Sequence, residues 1–227
     1  EKMEAVVIFG EGKGFSAGAD ISEFPRRRHL QQPMLGDVVK AIDHSEIPVI
    51  AGIHGYCYGG ALELALACQF RVADRTAKLA FPEVNIGLIP GAGGTQRWPR
   101  LVGSELALDM CVYGEPLDSH ASLRHGLVDK LLQHDMSTQI SGQNSNVTAN
   151  FAIEELADYA LEQAEEAKRN ESLLGSRRLS QLPLERTAGG GENAPSDDFW
   201  LDYHAKHIAS GAAKRKNGTK APVAAFR

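Results

Sequence analysis

The chain has 227 residues, 43% of them hydrophobic, enough for one domain with a sizeable core and an appendage. Its net charge of −5 argues against a nucleic-acid footprint, and it contains no run of 18 apolar residues that would insert into a membrane. Cys57, Cys68 and Cys111 show no CxxC spacing and the eight histidines show neither HExxH nor HxH, so no metal site is expected and a reducing compartment fits.

Glu4 to Phe9 reads as an apolar strand ending in the glycine-rich Gly10 to Gly14. Ser16-Ala17-Gly18-Ala19-Asp20 is a loop of small residues, in bland terms a strand-to-helix turn with Asp20 near a helix start. The short basic run Arg26 to Arg28 suits a solvated loop or a contact with the phosphates of a nucleotide-like group. Pro33 to Asp43 predicts an amphipathic helix with Leu35, Val38, Val39 and Ile42 inward. Pro48 to Ile53 is an apolar run short enough for a buried strand, His54 to Gly60 is rich in turn formers, and Ala61 to Ala67 consists of strong helix formers.

That middle stretch carries the chemistry. A strand that turns at Gly59-Gly60 into a helix directs backbone N–H groups out of the helix start, where they have no intrahelical partner and meet the positive end of the dipole. An oxygen that acquires charge binds well there, and glycines let a ligand approach the backbone closely. Glu63 falls in the first turn of this helix, and a second acid, Glu83, follows in Phe81-Pro82-Glu83 ahead of the glycine-rich Gly87 to Gly94. From residue types alone two bland readings stay open: a Gly-Gly that is only a tight turn, and a Glu63 that is only a solvated dipole partner.

Beyond Gly94, Thr95 to Leu101 and Ser104 to Val112 read as helices separated by Gly103. Asp118-Ser119 starts a short helix that ends near His125-Gly126, and Leu127 to Leu132 reads as a last strand. Strands alternating with helices define an α/β chain. His44, His54 and His125 each lie near a turn and read as surface or capping residues. Composition then divides the chain into a core over residues 1–135, a polar linker over 136–150 and a helical C-terminal region over 151–227. In that region Phe151 to Lys168 is one helix, Gly189 to Gly191 breaks the chain, and Asp198 to Ala213 is a final helix.

The segments GYCYGGALELALACQFRVA (residues 55–73), FPEVNIGLIPGAGGTQR (81–97) and GFSAGADI (14–21), continued by Pro99 to Gly103 and Gly126 to Val128, together resemble the enoyl-CoA hydratase/isomerase (crotonase) family over roughly residues 4–132. The resemblance implies a right-handed spiral of strand-strand-helix turns. It also implies a preceding strand-helix unit that this sequence lacks, so the first strand is expected to leave an exposed sheet edge.

For the site, the resemblance implies Glu63 and Glu83 as catalytic acids, with Glu63 activating water and Glu83 protonating C2 of the substrate. The N–H groups of Ala19 and Gly60 become the oxyanion hole, and Ala17, Gly18, Asp20, Ile21, Gly59, Pro82 and Gly91 line the substrate and coenzyme A. Ala61 replaces a glycine common in relatives, a change a helix tolerates, and Ala80-Phe81 is an unusual pair expected to reshape the acyl pocket. The implied activity is hydration of trans-2-enoyl-CoA to 3-hydroxyacyl-CoA in fatty-acid β-oxidation. Coenzyme A is the substrate's thioester carrier, and no cofactor or metal is permanently bound.

The alternatives are a Δ3,Δ2-enoyl-CoA isomerase, which needs one acid to move a proton between C2 and C4, and a catalytically silent acyl-CoA-binding or interaction module. The expected assembly is a homotrimer or dimer of trimers. The other expectation is a covalently fused dehydrogenase, because the C-terminal third resembles the connecting segment of multifunctional hydratase/3-hydroxyacyl-CoA dehydrogenases. The expected setting is intracellular: mitochondrial or peroxisomal in a eukaryote, cytoplasmic in a bacterium.

Overall fold

The computed structural model of the chain describes residues 3–24, 31–136 and 145–182. The basic run Arg26 to Arg28, the middle of the expected linker, the Gly189 to Gly191 break and the helix expected over Asp198 to Ala213 lie outside the described residues.

The seven strands of the described residues are β1 (Val6–Phe9), β2 (Val49–Ile53), β3 (Tyr56–Tyr58), β4 (Phe70–Ala73), β5 (Lys78–Ala80), β6 (Leu117–Asp118) and β7 (Lys130–Leu131). The helices are α1 (Leu35–Asp43), α2 (Gly60–Ala67), α3 (Gly94–Val102), α4 (Ser104–Tyr113), α5 (Ser119–Arg124), α6 (Ser145–Arg169) and α7 (Leu173–Ser176). One sheet has the order β1-β2-β4-β7 and is parallel throughout. The other has the order β3-β5-β6, with β3 and β5 parallel and β6 antiparallel. The chain visits the first sheet in β2, the second in β3, and then enters α2; it returns to the first sheet in β4 and to the second in β5. This alternation builds a crotonase-like α/β spiral.

β2 is buried at every position, as parallel strands covered on both faces are. The pleat sends Val49, Ala51 and Ile53 to one face, where they meet Leu62, Ala65 and Leu66 of α2. Ile50 faces the other way, with Phe70 and Val72 of β4, and is covered by Ala152, Leu156 and Ala160 of α6. α2 is apolar nearly all round because it lies between sheet and helices, with no watery face to supply.

Several expectations change. The turn-rich His54 to Gly60 contains β3, and β4 and β5 were not predicted at all. The last strand shrinks to Lys130–Leu131, while Leu127 and Val128 stay in the core without pairing. α1 starts at Leu35, not Pro33, and Val38 is 37% exposed and not inward, because Val39 and Ile42 already fill the stripe toward the core. α6 starts at Ser145, ahead of the expected Phe151. His44 and His125 do cap α1 and α5, but His54 is buried, with Nε2 3.2 Å from the Gly12 carbonyl oxygen. β1 pairs with β2 alone among the described residues, and its Phe9 is 48% exposed at that edge. No helix among the described residues is long and apolar enough to cross a membrane.

Candidate active site

β3 assembles the site. Ser16 N–H donates to the Tyr56 carbonyl at 3.1 Å and Tyr58 N–H donates to the Ser16 carbonyl at 3.1 Å. This zips the loop of small residues alongside β3 and sets Gly18 to Asp20 against the Gly59-Gly60 turn. A Cβ at Gly18 would lie 2.7 Å from the Tyr58 carbonyl oxygen and 3.2 Å from the Gly60 nitrogen, so only glycine allows the approach.

The Ala19 nitrogen in turn lies 3.8 Å from where a Cβ on Gly60 would stand. Gly60 is the first residue of α2, so its N–H has no intrahelical acceptor. Gly59 precedes it with φ 56° and spends its own N–H on the Ala80 carbonyl, which pins the turn to β5. The Ala19 nitrogen, from a separate loop, thus lies near the start of α2, where the dipole favours negative charge.

Glu63 lies one turn into α2 and is 3% exposed. Its Oε1 accepts from Ala92 N–H at 2.7 Å and from Gly94 N–H at 2.8 Å. Gly94 is the first residue of α3, so the carboxylate occupies that helix's positive end. Burial raises the Glu63 pKa above the ordinary carboxylate value, against the pull of the Gly94 and Ala92 N–H groups and of the Arg97 charge.

Glu83 lies in the first turn of a 3-10 segment, Pro82–Ile86. A Cβ on Gly59 would be 3.0 Å from its Oε1, which places the carboxyl directly against the Gly59-Gly60 turn. Its buried Oε2 has no partner among the described residues. Burial, reinforced by the charge of Glu63, pushes its pKa up to about 7.

The structure therefore gathers Gly18, Ala19, Gly59, Gly60, Glu63 and Glu83 within one neighbourhood, and a Gly91 N–H also turns toward Glu63. Pro82 opens the segment that carries Glu83. Asp20 caps the 3-10 turn Ile21–Glu23 by accepting from Ser22 N–H at 2.9 Å, and it also lines a cleft of about 410 Å³ with Ser16, Ala19, Leu35 and Gly60. Ala17 and Ile21 are exposed and do not line that cleft, and neither acid is among its lining residues.

Sequence reasoning missed the role of Ala92 and Gly94 in holding Glu63. It also missed the buried Arg97–Asp43 pair, 3.2 Å between Nη2 and Oδ2. The signal for the first was the second glycine pair, Gly93-Gly94, which stands at a helix start as Gly59-Gly60 does.

The fold defines the class: an α/β spiral protein in which two dissimilar acids, Glu63 buried and Glu83 half-buried, flank an open helix N-terminus. The chain belongs to the enoyl-CoA hydratase/isomerase family, whose profile matches residues 1–172. It is 40% identical over 182 residues to a peroxisomal bifunctional enzyme of Danio rerio, covering 80% of this chain and 22% of that one. It is 44% identical over 131 residues to a probable enoyl-CoA hydratase of Bacillus subtilis, covering 56% of this chain and 51% of the other. The chain thus spans about half or less of the length of these curated relatives. Among solved structures, an enoyl-CoA hydratase from Bacillus anthracis superposes with a TM-score of 0.59 at 28% identity, covering 89% of this chain and 78% of that one.

Proposed function

We propose that the protein is an enoyl-CoA hydratase that adds water across the C2–C3 double bond of trans-2-enoyl-CoA thioesters to give 3-hydroxyacyl-CoA. One observation carries the reading: two carboxyls, Glu63 buried and Glu83 half-buried, stand in unequal environments around one open helix start. Glu63 is anchored by two N–H groups, whereas Glu83 has an unpartnered oxygen and a pKa of about 7.

Hydration needs a base for water, an acid for C2 and donors for the thioester oxygen. Glu63, with Oε1 taken by Ala92 and Gly94, offers its remaining oxygen to the attacking water and takes its proton as hydroxide adds to C3. The electron pair of the C2–C3 bond moves toward the thioester carbonyl. The charge on that oxygen is met by the Ala19 and Gly60 N–H groups, each donor contributing about 10²–10³ in rate. Glu83, half protonated near pH 7, delivers its proton to C2. Glu63 ends protonated and Glu83 ionised, and a proton exchange returns both to their starting states. The Pro82 turn, Gly91 and the Ala17–Ile21 loop belong to substrate and coenzyme A contact in this reading.

Names of relatives support the assignment, and the word peroxisomal in the Danio rerio name favours a peroxisomal setting. The word bifunctional in the same name supports a covalently attached second activity, for which the resemblance of the C-terminal third points to a 3-hydroxyacyl-CoA dehydrogenase; a homotrimer or dimer of trimers is the alternative assembly.

Glu63→Gln and Glu83→Gln are each expected to lower crotonyl-CoA hydration by about 10²–10⁴ with the circular dichroism spectrum retained. A folded Glu83→Gln protein with near-parental hydration rules out the assignment. The unpartnered Oε2 of Glu83 also suits a carboxyl that shuttles a proton between C2 and C4, which is the isomerase reading. A Glu63→Gln variant that loses hydration but keeps isomerisation of 3-enoyl-CoA would favour it.

A further inference from the structure

Behind Glu63 lies a buried charged pair that the reaction scheme leaves unused. Arg97 of α3 is 6% exposed and Asp43, at the end of α1, is 2% exposed. Arg97 Nη2 donates to Asp43 Oδ2 at 3.2 Å, and the same oxygen accepts from the Ser180 hydroxyl. Arg97 Nη1 reaches back to the Ala92 carbonyl at 3.5 Å. Ala92 is also the residue whose N–H holds Glu63 Oε1 at 2.7 Å, so the guanidinium stands on the far side of the peptide turn that grips the carboxylate. Between them sits Gly93 with φ 102°, and a Cβ there would come within 2.3 Å of Arg97 Nη1. The turn is thus shaped around the guanidinium as well as around Glu63.

Stability does not explain the pair. A buried ion pair often does no better than apolar side chains of similar volume, because desolvation offsets the attraction. Here satisfaction is also incomplete: Arg97 Nε and Asp43 Oδ1 are buried with no partner among the described residues. Arg97 and Asp43 nevertheless join α1, α3 and the Leu179–Gln181 segment at a single point behind the site.

We infer that Arg97, clamped by Asp43 and Ser180, is a positioning residue that fixes the Ala92–Gly94 turn and places a positive charge behind the Glu63 carboxylate. The charged and titratable groups facing Glu63 are Arg97 from α3, Glu83 from the Pro82–Ile86 segment and the Cys111 thiol from α4, with Asp43 of α1 beyond Arg97. Among these Arg97 is the cation, and it opposes the upward push that burial exerts on Glu63. Without it the Glu63 pKa rises further, and the ionised form that accepts a proton from water is lost at a higher pH. The inference rests on the hydratase reading only for the step it affects; the effect on Glu63 itself is independent of substrate.

The test uses Arg97→Met and Arg97→Lys in the full chain, with two readouts. The first is the ¹³C carboxyl titration of Glu63 without substrate, its signal assigned by its disappearance in Glu63→Gln. The second is the pH profile of kcat/KM on crotonyl-CoA. Arg97→Met is expected to raise the Glu63 midpoint, and with it the acidic limb of the profile, by about one pH unit. Arg97→Lys is expected to restore the midpoint but not the turnover: one ammonium cannot bridge Asp43 and the Ala92 carbonyl, so kcat falls about tenfold with KM little changed. A folded Arg97→Met protein whose Glu63 titrates as in the parent overturns the inference. If Arg97→Met fails to fold, Arg97→Lys with parental kcat overturns it. A parent chain that fails to hydrate crotonyl-CoA counts against the hydratase reading alone, because the titration still decides the role of Arg97.

Discussion

Glu83 is held near pH 7 by burial first and by the charge of Glu63 second, and that has a consequence for stability. Its folded-state pKa lies above the unfolded value of 4.5, so folding favours the protonated carboxyl. The associated stabilisation is complete below pH 4.5 and is lost as pH rises through about 7. Glu83→Gln, which stays neutral, is therefore expected to be more stable than the parent above pH 7, by on the order of 2 kcal/mol once solvent screening of the half-buried carboxyl is allowed for, and to match it near pH 4. Urea midpoints of both proteins from pH 4 to 8 measure this, and parallel curves would show that the Glu83 carboxyl is not perturbed. The two acids were legible in the sequence through the resemblance of their segments to the hydratase/isomerase family, because residue types alone leave Glu63 open as a solvated dipole partner. Arg97 was not, because its carboxylate partner is 54 residues away and nothing local distinguishes a buried arginine from a solvated one.

Among the elements, β2 and α2 were readable because an unbroken apolar run and a run of strong helix formers leave little choice of state. β4 and β5 escaped because they are three or four residues long and carry Arg71 and Lys78, charges that suggest loop until Arg71 is found fully buried. β3 escaped because Gly55, Gly59 and Gly60 around it read as turn formers, although the residues between them pair with β5. The cover of the sheet by α6 was likewise not readable, since an amphipathic helix does not say which surface it meets. The contact itself is tight: a Cβ on Gly52 of β2 would lie 2.4 Å from Leu156 Cδ2 of α6. Leu156 is 1% exposed, so it has little room to yield. Gly52→Ala is expected to destabilise by about 1–3 kcal/mol through overpacking, and Leu156→Ala by about 2–5 kcal/mol through the cavity it leaves. In the double variant the new methyl group occupies part of that cavity. The loss in the double variant should fall short of the sum of the two single effects by at least about 0.5 kcal/mol. Strict additivity in urea unfolding would mean that α6 does not press on β2 at this point.

At the scale of the whole molecule, the question is whether residues 173–182 belong to the spiral or trail from it. Asp129, just before β7, settles how they are tied. Its Oδ2 accepts from the Arg71 backbone N–H at 2.7 Å and pairs with the Arg71 guanidinium at 3.5 Å, while its Oδ1 accepts from Arg177 Nη2. Arg71 is fully buried and spends its other donors on the Leu127 and Cys68 carbonyls, at 2.8 and 2.7 Å. Arg177 continues from the carboxylate to the Gln69 carbonyl at 3.1 Å and lies over the Phe70 ring, 4.6 Å from its centroid. Nearby, Arg100 of α3 donates to the Leu182 carbonyl at 2.8 Å. Residues 173–182 are therefore joined to β4, β7 and α3 by charged groups whose partners sit in the core. Asp129→Ala should cost about 3–5 kcal/mol, because it leaves Arg71 buried with its main compensating charge removed. Arg177→Ala should cost less, about 1–2 kcal/mol, because Arg177 is 31% exposed at its side chain and Asp129 keeps Arg71 as a partner. Both losses are expected in the global urea transition, with one cooperative step and an unchanged slope. Hydrogen exchange confined to residues 173–182 in Arg177→Ala, with the global midpoint untouched, would instead make this segment an appendage that frays without consequence for the spiral.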